Sequence, residues 1–106
     1  MAKFMYIGSY TAQGAKGALK EGGTARRQAA EQVIASVGGT IESYYFGFGK
    51  DDFYVTFDVP SAAAAAAAAL TVGGSGAVSG RTIPLITAEE LDEAAKLSPT
   101  YRPPGS

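Results

Sequence analysis

Between Asp52 and Val59 apolar and polar positions alternate strictly: Phe53, Val55, Phe57 and Val59 fall on one side, Tyr54, Thr56 and Asp58 on the other. A period of two is that of a strand with one buried face. Lys3 to Tyr10 also reads as a strand, but here Phe4, Tyr6 and Tyr10 share one parity and Met5 and Ile7 the other, which predicts burial on both faces. Thr40 to Phe48 is a third strand, with Tyr44, Phe46 and Phe48 together, and Ala77 to Ile86 a fourth, in which Pro84 implies an edge or a bulge. Gly49-Lys50-Asp51-Asp52 is a short polar break between two strand-like runs, the signature of an antiparallel hairpin.

Helical spacing fills the intervals. Ala25, Ala29, Ala30, Val33, Ile34 and Val37 recur on one face while Arg26, Arg27, Gln28, Glu31 and Gln32 take the other, with Thr24 as N-cap and Gly38-Gly39 as exit. Ala62 to about Val72 is a helix built from the best helix former, opened by Pro60-Ser61 and ended by Gly73-Gly74. Thr87 and Glu90 form a capping box that starts a last helix running to about Leu97. Thr11 can cap the segment Ala12 to Glu21, but glycine in a helix costs about 1 kcal/mol relative to alanine. With Gly14, Gly17 and Gly22-Gly23 there, a short or irregular turn is expected.

The order strand, helix, strand, strand, helix, strand, followed by a C-terminal helix, is that of an α+β, ferredoxin-like βαββαβ unit with a four-stranded antiparallel sheet. Its helices cover one sheet face. Were Tyr6, Tyr44, Phe46 and Tyr54 to lie on the other, they would form an apolar patch larger than monomers usually carry. A second copy packed face to face would cover it, giving a dimeric α+β barrel with an aromatic central cavity. The competing arrangement folds the C-terminal helix back over the sheet within one chain.

A chain of 106 residues is of single-domain size. It has neither cysteine nor histidine, which removes disulfides, thiolate nucleophiles, histidine-based triads, the usual zinc sites and His-ligated haem. No cofactor and no metal is expected. A net charge of −1 with mixed signs gives no field for nucleic acid or an anionic membrane, so neither is expected as a partner. Met1 to Gly8 lacks the pattern of a secretory signal, and the alanine run is too short for a bilayer, so a cytoplasmic protein is expected.

Among the remaining chemistry the tyrosines stand out. Tyr6, Tyr44, Tyr45 and Tyr54 lie on neighbouring predicted strands, and tyrosine joins a rigid apolar body to one hydrogen-bonding tip. Tyr6, Tyr44 and Tyr54, with Arg81 at a cavity mouth, are the candidate binding residues for a small apolar or aromatic ligand; dimer core is the competing reading. Lys50, Asp51 and Asp52 could hold a cation or serve acid/base chemistry, but charges in a tight turn are usually solvated and two carboxylates are too few for calcium. Arg26-Arg27 could meet an anion or a partner. Gly8-Ser9-Tyr10-Thr11 ends a strand before a helix without matching a phosphate-loop or dinucleotide motif.

Several local marks together resemble the GYD domain family. Thr11-Ala12-Gln13-Gly14 is similar to its T-x-Q-G turn, and Gly38-Gly39 to its helix exit. Gly49-Lys50-Asp51-Asp52 sits where the naming segment belongs, with Asp51 where tyrosine would be expected, and Thr82 to Glu90 resembles its closing strand and last helix start. The resemblance implies one barrel-type domain over residues 1–97 and a homodimer or multiple of dimers; beyond it Pro99 and Arg102-Pro103-Pro104 can form neither helix nor central strand, so an extended or disordered tail is expected at 98–106. It carries no catalytic residues. Assembly or small-ligand binding is therefore favoured over catalysis. The alternative, by analogy with the wider barrel group, is a cofactor-independent oxygenase or isomerase acting on a small aromatic or lactone-like substrate.

Overall fold

The computed structural model describes residues 1–106, with the elements β1 (Ala2–Tyr10), α1 (Ala12–Glu21), α2 (Gly23–Ser36), β2 (Thr40–Phe46), β3 (Phe53–Val59), α3 (Ala62–Gly74), β4 (Val78–Leu85) and α4 (Ala88–Lys96). The strands form one antiparallel sheet in the order β2-β3-β1-β4, the ferredoxin-like arrangement. Placing β1 and β3 at the centre explains their composition, since each has a neighbour on both edges. Pro84 is tolerated because β4 is an edge strand.

The alternation in β3 sets the faces. Phe53, Val55, Phe57 and Val59 are all buried, and with Ile34, Ala65, Ala68 and Val78 they form the core beneath α2 and α3. Register then assigns the other strands: Phe4 lies opposite Phe57, Tyr6 opposite Val55 and Tyr44 opposite Val55, so all three rings face the helices. Phe46, paired with Phe53, joins them. The open face receives Met5, Ile7, Tyr54, Tyr45, Arg81 and Ile83 instead.

This corrects the expected placement of Tyr6, Tyr44 and Phe46 on the uncovered face; of that quartet only Tyr54 lies there. The reason is the coupling of parity between paired strands, which the strictly alternating β3 imposes on β1. In β2 a bulge between Ile41 and Ser43 switches parity, so Ile41 and Tyr44 share a face despite their odd spacing. The bulged Glu42 accepts a 2.6 Å hydrogen bond from Lys3 Nζ, which also donates to Asp58 at 3.1 Å.

α1 is a regular helix rather than the irregular turn expected. Thr11 Oγ1 accepts from the Gly14 amide at 3.2 Å, and Gly14 is buried so close to the Ala77 carbonyl that no Cβ would fit. The glycine thus lets α1 rest on the start of β4, and tertiary packing offsets its poor propensity. α2 starts one residue before the expected Thr24 cap. Gly22, at φ 88°, ends α1 by donating to Ala18 O and opens α2 by accepting from the Arg26 amide. β2 stops at Phe46, leaving Phe48 fully exposed in the hairpin loop instead of on the strand.

β4 and α4 form where expected, the Thr87–Glu90 capping box opening α4, and Ser61 caps α3 as expected, but α3 continues through Gly73-Gly74 to a C-cap at Ser75. Every residue from Ile86 to Ser106 is exposed, so α4 does not fold back over the sheet. No helix is long and apolar enough to cross a membrane. Truncating the core should test the β3 assignment: Phe57→Ala is expected to lower unfolding free energy by about 3–5 kcal/mol in urea denaturation. Tyr54→Ala, on the open face of the same strand, should have a much smaller effect on the monomer.

Candidate functional site

The two layers do not meet tightly. α3 presents Ala68, Ala69 and Val72 to the sheet, and α2 presents Ala29, Ala30 and Val33. Such short side chains on two adjacent helices leave a cavity of about 110 Å³ above Tyr6, Tyr44, Val55 and Phe57. Apart from Arg26, every residue lining it is apolar or a tyrosine. Phe53 anchors the aromatic wall: its ring centroid lies 5.9 Å from that of Tyr6, 5.1 Å from Tyr10 and 6.0 Å from Tyr44. Offset rings at such separations attract each other and hold the wall in one arrangement.

Room for these rings comes from the paired glycines Gly8 and Gly80, which sit opposite each other on the same face. A Cβ on Gly80 would collide with the Tyr6 phenol, and one on Gly8 with the Phe53 ring. The strands are therefore bare where the rings lie across them.

Tyr10 and Arg26 occupy one end of the cavity and also line an open cleft of about 450 Å³ bounded by Ala15, Ala18 and Leu19 of α1 and by Gly23, Phe46 and Asp52. They are the two residues common to both. The Tyr10 hydroxyl is buried and makes no hydrogen bond within the protein. The Tyr44 hydroxyl and the Arg26 guanidinium lie beside it, outside hydrogen-bond geometry. Arg26 Nη1 is held 3.2 Å from Glu21 Oε2.

The hairpin residues have a positioning part in this end of the site. Gly49 takes φ 148°. The Asp52 amide donates to Gly8 O at 2.8 Å, and its carboxylate accepts from the Tyr10 amide at 2.8 Å. Ser9 Oγ donates to Lys50 O at 3.2 Å and to Asp51 at 3.4 Å. Gly49-Lys50-Asp51-Asp52 thus ties down the end of β1 and, through it, the Tyr10 ring.

The sequence-derived candidates therefore separate into pairs. Tyr6 and Tyr44 line the internal cavity; Tyr54 and Arg81 lie on the open face, opposite Ile7 on either side of it. Tyr10 and Arg26 belong to the cavity site but were not grouped with the tyrosines, because Tyr10 falls at a strand terminus and Arg26 on a nominally polar helix side. The shared parity of Phe4, Tyr6 and Tyr10 was the available signal for Tyr10. Burial raises the pKa of both Tyr6 and Tyr44, the latter strongly. Both are neutral phenols at neutral pH, suited to hydrogen bonding and not to acting as tyrosinate bases.

The GYD domain family model matches residues 4–95 of the chain. No curated protein and no solved structure matches it.

Two measurements bear on this geometry. Removing the carboxylate in Asp52→Ala should destabilise the fold by about 1.5–3 kcal/mol, the range for a hydrogen bond to a charged group, read from urea denaturation. The second concerns alkali. The folded chain retains phenol protons that the unfolded chain releases near pH 10, so this contribution is complete below that pH and lost as pH rises above it. Lys3, raised by its bonds to Glu42 and Asp58, loses its contribution in the same upward direction. Stability should be flat from about pH 7 to 9 and fall above about 10, and Tyr44→Phe should make that fall shallower.

Proposed function

Since the chain belongs to the GYD domain family, matched over residues 4–95, we propose that it is a small-ligand-binding protein that works as a homodimer or a multiple of dimers. The observation that carries the binding reading is the apolar cavity between the helices and the sheet, walled by the rings of Tyr6, Tyr44 and Phe53. A concave apolar site with a few tyrosines in its wall is the usual form of a small-molecule pocket. The neutral state of Tyr6 and Tyr44 favours binding over a tyrosinate mechanism.

The homodimer reading rests on the other face of the sheet. Met5, Ile83 and Leu85 lie there beside Tyr45 and Tyr54, which are 71% and 37% exposed, and no helix packs over them. Its charges balance, Lys3 and Arg81 against Glu42 and Asp58, so a second copy of the same face meets no net repulsion. A self-complementary patch is what a two-fold interface requires. In this arrangement the ligand site lies inside each protomer, beneath the helices, and not between the two sheets.

Native mass spectrometry of freshly isolated protein tests both parts. The expected spectrum shows an even number of subunits carrying a reproducible small extra mass. Ile83→Lys should shift the population to monomer, and Val33→Phe, which fills the cavity, should remove the extra mass while leaving the oligomer. A wild-type monomer contradicts the paired sheets, and an extra mass that survives Val33→Phe contradicts the cavity as its site.

A further inference from the structure

We infer that α4 docks in the cleft between α1 and the β2–β3 hairpin of a second copy of this chain, the two copies exchanging these helices. The inference rests on the homodimer reading above and places the C-terminal arm within that dimer.

The helix needs a surface to pack on. α4 has nine residues, whereas isolated helices shorter than about 12–15 residues are marginal in water and draw their stability from packing an apolar face. Ala88, Leu91, Ala94 and Ala95 make such a face, with Glu89, Asp92 and Glu93 turned away from it. Nothing in its own chain covers it: every residue from Ile86 onward is exposed, Leu91 at 60%.

The cleft offers a complementary surface. α1 lines it with Ala15, Ala18 and Leu19 and the hairpin with Phe46 and Gly47, and Leu19 is 86% exposed. Lys16 and Lys20 flank Leu19 along α1, and Lys50 lies in the hairpin; none of the three has an ion-pair partner. The carboxylates nearby are engaged, Glu21 by Arg26, Asp51 by the Ser9 hydroxyl and Asp52 by the Tyr10 amide. Free cations beside an apolar groove match an apolar helix face bordered by the free carboxylates of Glu89, Asp92 and Glu93.

Reach decides whose helix it is. Leu85, where β4 ends, pairs with Lys3, at the far end of β1 from Tyr10, and Tyr10 borders the cleft. From Lys3 to Tyr10 the strand spans about 24 Å at about 3.4 Å per residue. Only Ile86-Thr87 link β4 to α4, so folding back at full stretch would carry Leu91 no more than about 15 Å along that span. The chain's own helix falls short, and a second copy supplies it. Two-fold symmetry then makes the exchange mutual.

The experiment uses the absence of native cysteine, which lets a nitroxide be attached at Lys96→Cys alone. Full-length spin-labelled protein is mixed and equilibrated with 15N-labelled wild type, so that amide broadening reports contact between chains only. Broadening should centre on Ala15, Leu19 and Phe46. Lys16→Glu with Lys20→Glu in the 15N-labelled copy should remove it, and Asp92→Lys with Glu93→Lys in the spin-labelled copy should restore it. Broadening centred on Met5, Tyr45 and Ile83 would put α4 on the open sheet face and overturn the inference, as would broadening that the charge reversal leaves unchanged. No broadening between chains that native mass spectrometry shows to be paired would overturn the inference and leave the homodimer standing. A monomer would overturn both.

Discussion

The packing of the β3 face formed by Phe53, Val55, Phe57 and Val59 against two helices that meet it with alanine is the constraint on which the rest of this structure depends. Large side chains below and small ones above bring α3 close to the sheet, since Ala65 and Ala68 are both buried against it. The same mismatch leaves space where neither layer reaches the other. Interiors are usually packed to the density of organic crystals, so a void of this size between well-formed layers is a property of the chosen residues. Filling it would require only longer side chains at Ala30 or Ala69.

Parity carries that constraint outward. Because β1 pairs with β3 along seven positions from Ala2 to Gly8, Phe4 and Tyr6 follow the buried face of β3. The bulge in β2 brings Tyr44 to the same side. What remains for the open face is a mixed set in which the Lys3–Glu42–Asp58 network adjoins Met5, Ile83 and Leu85. The sheet thus has one face that borders a half-open cavity beneath the helices and another that no helix covers. The hairpin links them, because Asp52 both continues the β1–β3 pairing and fixes the amide of Tyr10.

Much of this was legible in the residues themselves. Strict alternation in β3, the Ser61 cap and the Thr87–Glu90 box placed three elements closely, and element order alone implied the sheet that is observed. What could not be read was which parity of β1 and β2 faces the helices, for both parities of β1 are apolar and a one-residue bulge is invisible to a period-two pattern. α1 was underestimated because glycine propensity is local, while the contact that makes Gly14 useful, with Ala77, is long-range. The alanine run was read correctly as a helix. Its consequence for the site, an unfilled space, depends on what lies opposite and emerges only when the layers are stacked.

The most direct test of this account is xenon binding followed by NMR of the full-length protein. Dry apolar cavities take up xenon independently of any hydrogen bond or charge. Xenon-dependent shifts should converge on Val33, Val55 and Val72, which line the space between the helices and the sheet. A response confined to Met5, Ile83 and Leu85 on the open face, or no response at the three valines, would contradict a cavity formed by alanine-faced helices.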